Sequence, residues 1–120
     1  MLRDATCFKK IILVCGRTDM RKGINGLAAV AQLQYRQSPV EEGTLFLFCG
    51  RSRTVLKGLC YEGDGFLLLT KRLVDGVYQW PRNSKEAMAL SQEQFQRLMN
   101  GFTVESSIRI PASDPTQKVS

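Results

Sequence analysis

Apolar residues follow two kinds of spacing along this chain, and the switches between them outline its elements. "KKIILVCG" (9–16) is a short β-branched run ended by Gly16, and it predicts a strand. Beyond it, Ile24, Leu27, Ala28, Ala31 and Tyr35 recur at helical spacing, so a helix is expected near 20–35, closed by the loop "RQSPVEEG" (36–43). Four more strands are predicted at "TLFLFC" (44–49), "TVLKGLCY" (54–61), "FLLLTKRL" (66–73) and "VYQWP" (77–81). Their connections, "GRSR", "EGDG" and "VDG", are too short for crossovers, and two carry the Asp-Gly signature of tight turns, so neighbouring strands should be antiparallel.

"PRNSKEAMA" (81–89) reads as a connecting loop. In "LSQEQFQRLMNGF" (90–102), Ser91 is placed to cap a helix, with Gln94 three residues on to complete a capping box. Phe95, Leu98 and Met99 form its apolar face, and Gly101 is its stop. The expected fold class is α+β: a small antiparallel sheet, made of a four-strand meander plus an N-terminal strand, with two helices. One domain should span residues 8–104. The polar tail 105–120, with Pro111 and Pro115, is expected to be disordered.

Two features break the simple pattern. Strands 44–49 and 66–69 are apolar on both faces, whereas a sheet with one wet face alternates. Either helices cover both faces or another chain does, and two helices in so short a chain suggest the second. The other feature is "TDMRKGINGLA" (18–28). Thr18 and Asp19 are good caps, yet Arg21 and Lys22 follow them, where a helix start disfavours cations. A phosphate at that site would explain the cations. So would a helix that begins only at Ile24, leaving both in a solvated loop. Gly23 and Gly26 weaken this helix by about 1 kcal/mol each relative to Ala, which suggests close backbone approach to the sheet or to a ligand.

Composition narrows the function. The 120 residues suffice for one domain, and no apolar run approaches a membrane span. The N-terminus "MLRDATCFKK" is charged where a signal peptide would be apolar, so a cytoplasmic location is expected. Net charge is +6, and residues 1–82 hold 13 Lys or Arg against 7 Asp or Glu, so the excess lies entirely in that part. Such a surface attracts nucleic acid, anionic membrane or an acidic partner, or simply aids solubility. Cys7, Cys15, Cys49 and Cys60 lack close pairing and the chain lacks histidine, so neither zinc nor another metal or cofactor is expected.

Catalysis finds little support. A serine or cysteine triad would lack its usual base. The carboxylates Glu41–Glu42 and Glu62–Asp64 sit in a loop and a hairpin rather than converging from separate elements, as two-metal chemistry requires. No phosphate-binding glycine motif is present. Basic residues at turns and strand ends are more informative. Arg21, Lys22, Arg51, Arg53, Lys57, Lys71 and Arg72 are the candidate nucleic-acid contacts, since arginines in a glycine-containing turn reach phosphate oxygens easily. Each alone also suits a wet turn.

The segments "TDMRKGINGLA", "LFLFCGRSR", "LKGLCYEGDGFLLLTKRL", "GVYQWPR" and "LSQEQFQRLMNGF", in this order and spacing, carry a resemblance. The chain resembles the small accessory proteins called TnpB, encoded by the second reading frame of the IS-sixty-six group of bacterial insertion sequences. The resemblance runs from about residue 8 to residue 104. The family's motif falls here on Asp19, Arg21, Lys22, Gly23, Gly26, Leu27, Gly50, Arg51, Lys57, Gly63, Asp64, Gly65, Lys71, Arg72, Leu73, Trp80 and Pro81. It implies a non-catalytic role in transposition beside a separate transposase, and no catalytic residues to carry over.

Two functions of different class remain open. A DNA-binding accessory protein would hold element-end phosphates with its basic surface and assist the transposase. An adaptor would dock its two-sided apolar strands on the transposase, without touching DNA. Homo-oligomerisation is compatible with either, and a membrane partner is not expected.

Overall fold

A computed structural model describes residues 7–82 and 87–101. The elements are β1 (Lys10–Val14), α1 (Ile24–Ala29), β2 (Thr44–Cys49), β3 (Val55–Tyr61), β4 (Phe66–Arg72), β5 (Ala87–Leu90) and α2 (Gln92–Met99). α1 runs on into a wide π-type turn over Val30–Gln34. The strands form one sheet in the order β4-β3-β2-β1-β5. The α+β class with two helices is as the sequence predicts.

The sheet differs in three respects. It is mixed, because β1 pairs with β2 in parallel, Ile11 beside Leu45. The 29 residues between these strands include α1, which gives the chain room for a crossover. The meander has three strands rather than four, since β2, β3 and β4 pair antiparallel and 77–81 joins no ladder. Instead this segment is an extended strap. Tyr78 N–H bonds the Arg53 carbonyl (2.8 Å), Gly16 N–H bonds the Pro81 carbonyl (2.8 Å), and the Trp80 indole N–H bonds the Val14 carbonyl (2.9 Å). The fifth strand is β5, inside the segment expected to be a loop, antiparallel to β1 with Ile12 beside Ala89.

Period-two alternation sends side chains to two packed layers. On one side Ile12, Val14, Phe46, Phe48 and Leu59 pack against Leu27, Val30 and Ala31 of the α1 region. On the other, Ile11, Leu13, Leu45, Leu47 and Leu56 pack against Phe95, Leu98 and Met99 of α2, with Tyr78 and Trp80 filling the end. Every residue of β2 is buried, so the expectation that its second face needs another chain is wrong. The α1 region, the strap and α2 together cover what two helices alone would not. β4, at the sheet edge, is different: Phe66, Leu67, Leu68 and Leu69 are only half-buried.

α2 begins as its sequence predicts. The Ser91 hydroxyl accepts from Gln94 N–H (3.1 Å) while the Gln94 side chain accepts from Ser91 N–H (2.9 Å). Gly101 closes it at φ +89, in the left-handed region that suits glycine. The proposed tail 105–120 and the segment 83–86 lie outside the described residues.

Candidate nucleic-acid interface

The topology sorts charge to opposite ends of the sheet. β1, β2 and β4 run in the same direction, so their C-terminal ends and the turns beyond them share one end. Arg17, Arg21, Lys22, Arg51, Arg53, Lys71, Arg72 and Arg82 are all there, with Asp19 and Asp75 as acidic residues. The far end carries Glu41, Glu42, Glu62 and Asp64 beside Lys9 and Lys10, including a Lys10–Glu41 ion pair at 3.3 Å.

At the basic end, Arg21, Arg51 and Arg72 line one shallow depression with Thr18, Asp19, Met20, Gly50, Ser52 and Val55. Three separate segments meet here, and a glycine lets two of them close. A Cβ on Gly50 would stand 2.6 Å from the Met20 side chain, so only glycine admits Met20 across the turn.

The helix start is not a cationic N-terminus. α1 begins at Ile24 with Gly23 as N-cap, and no side chain caps it. Thr18 and Asp19 therefore do not cap α1, and Arg21 and Lys22 lie in the loop before it, as a helix that begins only at Ile24 requires. Asp19 organises the loop instead. Its carboxylate accepts Arg21 N–H (3.0 Å) and, bidentately, Arg21 Nε (3.0 Å) and Nη2 (2.9 Å). Those hydrogen bonds hold the Asp19 carboxyl well below the usual carboxylate range. The Arg21 side chain stays 90% exposed, so its remaining N–H groups face solvent.

Close approach at Gly26 is to a side chain rather than to the sheet. A Cβ there would meet the aliphatic stem of Lys22 at 3.0 Å. Lys57 is a strut: its ammonium donates to the Lys22 carbonyl at 3.0 Å, tying β3 to the loop before α1. Lys71 and Arg72 are adjacent in a strand and so face opposite sides of the sheet. Arg72 joins the depression, and Lys71, paired with Leu56, belongs to the α2 side.

Arg53 adopts φ +63, uncommon for a residue with a side chain, and it sits on the other flank of the 50–53 turn. Two arginines that sequence reasoning missed accompany it. Arg82 Nη2 donates to the Gly50 carbonyl (2.6 Å) and the Arg51 carbonyl (3.3 Å), and it feels repulsion from Arg53 and Arg17. Its only sequence signal is its place after Trp80-Pro81. Trp80 and Pro81 are structural, while Gly63, Asp64 and Gly65 form the β3–β4 hairpin at the far end.

Cys7, Cys15, Cys49 and Cys60 are not joined in disulfides, and burial pushes Cys49 up to about 11, against the pull of Arg82 and Arg53. Among the described residues no group of three or more potential metal ligands occurs, and no helix is long and apolar enough to cross a membrane.

This architecture defines a small α+β protein with both sheet faces covered and cationic loops gathered at one end. The chain belongs to the family described as IS66 Orf2 like protein, which matches residues 9–109. That places it among the TnpB accessory proteins of these insertion sequences, with an accessory role in transposition. Two relatives from Sinorhizobium fredii (strain NBRC 101917 / NGR234) are similar to it. Uncharacterized protein y4hO is 38% identical over 93 residues, covering 78% of this chain and 80% of its own. Uncharacterized protein y4jC is 29% identical over 108 residues, covering 90% and 92%. No solved structure is significantly similar.

Proposed function

We propose that the accessory role is DNA binding at the basic end, in support of a separate transposase. The observation that carries this reading is the convergence of Arg21, Arg51 and Arg72 on one depression from three different segments. Arg17, Arg53 and Arg82 extend the cationic surface across the 50–53 turn. Neighbouring cations repel one another in the free protein, and a polyanion relieves that repulsion. Hydrogen bonding by Asp19, Arg82 and Lys57 fixes the loops that carry them, which lowers the cost of ordering on binding.

The arrangement suits backbone contact rather than base reading. The described residues offer no long helix or two-stranded ribbon at the basic end that would fill a major groove. DNA binding should therefore vary little with sequence, and target choice would fall to the transposase. Gel-shift titration against salt, with element-end and unrelated duplexes, tests this. A steep, sequence-tolerant loss of affinity with salt is expected. Binding that ignores salt, or no DNA binding at all, sinks it.

A further inference from the structure

We infer that the free edge of β4 is a self-association site, at which a second copy of this chain extends the sheet. Among the described residues β4, seven residues long, pairs only with β3, and no strand lies along its other side. Its first four residues, Phe66 to Leu69, are apolar and half-buried, without proline. Natural proteins usually blunt such an edge, because its unpaired backbone groups recruit another strand.

The hydrogen-bond pattern selects how a second strand would pair. Glu62 N–H bonds the Gly65 carbonyl and Leu73 N–H bonds the Thr54 carbonyl, each at 2.8 Å. Bonded and non-bonded pairs alternate along an antiparallel ladder. Hence Leu67, Leu69 and Lys71 direct their backbone groups to β3, while Phe66, Leu68, Thr70 and Arg72 direct theirs outward. An antiparallel second copy centred on Leu68 matches outward groups with outward groups. It sets Leu68 against itself and Phe66 against Thr70, and it brings Arg72 beside the hairpin turn of the other copy, which carries Asp64.

Charge and apolar area favour the same register. Among the described residues Arg72 and Asp64 make no ion pair within the chain. The two-fold relation brings these opposite charges together twice, which commits the edge to a second copy rather than to a foreign strand. On the α2 side, Leu67 and Leu69 lie outside the buried cluster, and this register brings the four leucines of two copies together across the axis. Centring on Leu69 instead would set Arg72 against Phe66 and lose the ion pairs. The result is one ten-stranded sheet with its two basic ends pointing in opposite directions.

Sedimentation of the full chain and site-directed crosslinking test this in a Cys7→Ser background, since Cys7 is exposed. A mass that doubles with concentration is expected. Leu68→Cys should form an intermolecular disulfide under mild oxidation, because directly opposed bonded residues have Cα atoms about 5.5 Å apart. Leu67→Cys and Leu69→Cys should not, as each would lie about 8 Å from its own copy. Arg72→Asp should weaken association at least about tenfold, and adding Asp64→Arg should restore it, with circular dichroism reporting that each variant folds. A chain that stays monomeric, including one whose edge is covered only by a transposase segment, overturns the inference. So does a dimer that crosslinks through Leu69→Cys, or one indifferent to the charge reversal.

Discussion

The Arg82 guanidinium reaches back to the β2–β3 turn and donates to the Gly50 carbonyl at 2.6 Å, with the Arg51 carbonyl at 3.3 Å from the same nitrogen. A cation thus holds the turn whose own arginines face outward. Strap and turn are locked together, since Tyr78 N–H also bonds the Arg53 carbonyl. The geometry explains why an arginine so close to Arg53 and Arg17 is tolerated: its N–H groups answer carbonyls that end a strand.

Arg82→Gln should therefore cost about 1.5–3 kcal/mol in urea unfolding, the range for hydrogen bonds to a charged group. Arg82→Lys keeps the charge, but its shorter side chain falls short of the position of Nη2, so it should recover only part of that loss. If both variants unfold like the parent, the contact is incidental.

Arg53 makes an opposite prediction. Its φ of +63 is strained for a residue with a Cβ, and glycine adopts it freely. Arg53→Gly should leave stability unchanged or raise it by up to about 1 kcal/mol, the left-handed penalty partly offset by unfolded-chain entropy. DNA affinity should fall at the same time. A variant that both unfolds earlier and binds less would mean that the side chain supports the turn.

These two arginines also mark how far sequence reading reaches. Ser91 and Gln94 specify the start of α2 locally, and the Asp64 hairpin specifies β3–β4, so both were legible. β5 was not, because "AMAL" is four residues long and runs straight into a helix cap. The strap misled, because Tyr78 and Trp80 alternate like a strand while their partners are a turn carbonyl and the Val14 carbonyl. At the site, Arg21, Arg51 and Arg72 were candidates, and β-strand alternation alone separates Lys71 from Arg72. The use of Lys57 and Arg82 on backbone carbonyls depends on contacts 32 to 35 residues apart, which no local pattern encodes.

DNA binding should be nearly flat from about pH 5.5 to 7, because the chain has no histidine and its other charged side chains ordinarily titrate outside that window. Asp19 acts lower down. Its folded pKa is depressed, so its contribution to stability is fully present above the ordinary carboxylate value near 4. That contribution is lost as pH falls below it toward the folded value. Acid titration of unfolding, compared between the parent chain and Asp19→Asn, checks the sign: the difference should shrink as pH drops. A binding curve with a midpoint between pH 6 and 7 would contradict the arginine-based surface.

Arg21 and Lys22 offer the sharpest test of the proposed interface. Both lie in the loop before α1, so they do not oppose the helix dipole, and removing them relieves no strain there. What remains is the exposed Asp19–Arg21 pair, and such surface pairs contribute little. Replacing both residues by Gln should shift unfolding by less than about 0.5 kcal/mol. If they touch phosphates, affinity should fall for all duplexes alike, and the slope of log affinity against log salt should drop by about one to two units, near one per lost contact. Lys71→Gln provides the control of equal chemistry on the α2 side of the sheet. It should change the slope by less than either loop cation does. A double variant with an unaltered salt slope would remove Arg21 and Lys22 from the interface, and a Lys71→Gln effect as large would show that net charge, rather than this surface, drives the binding.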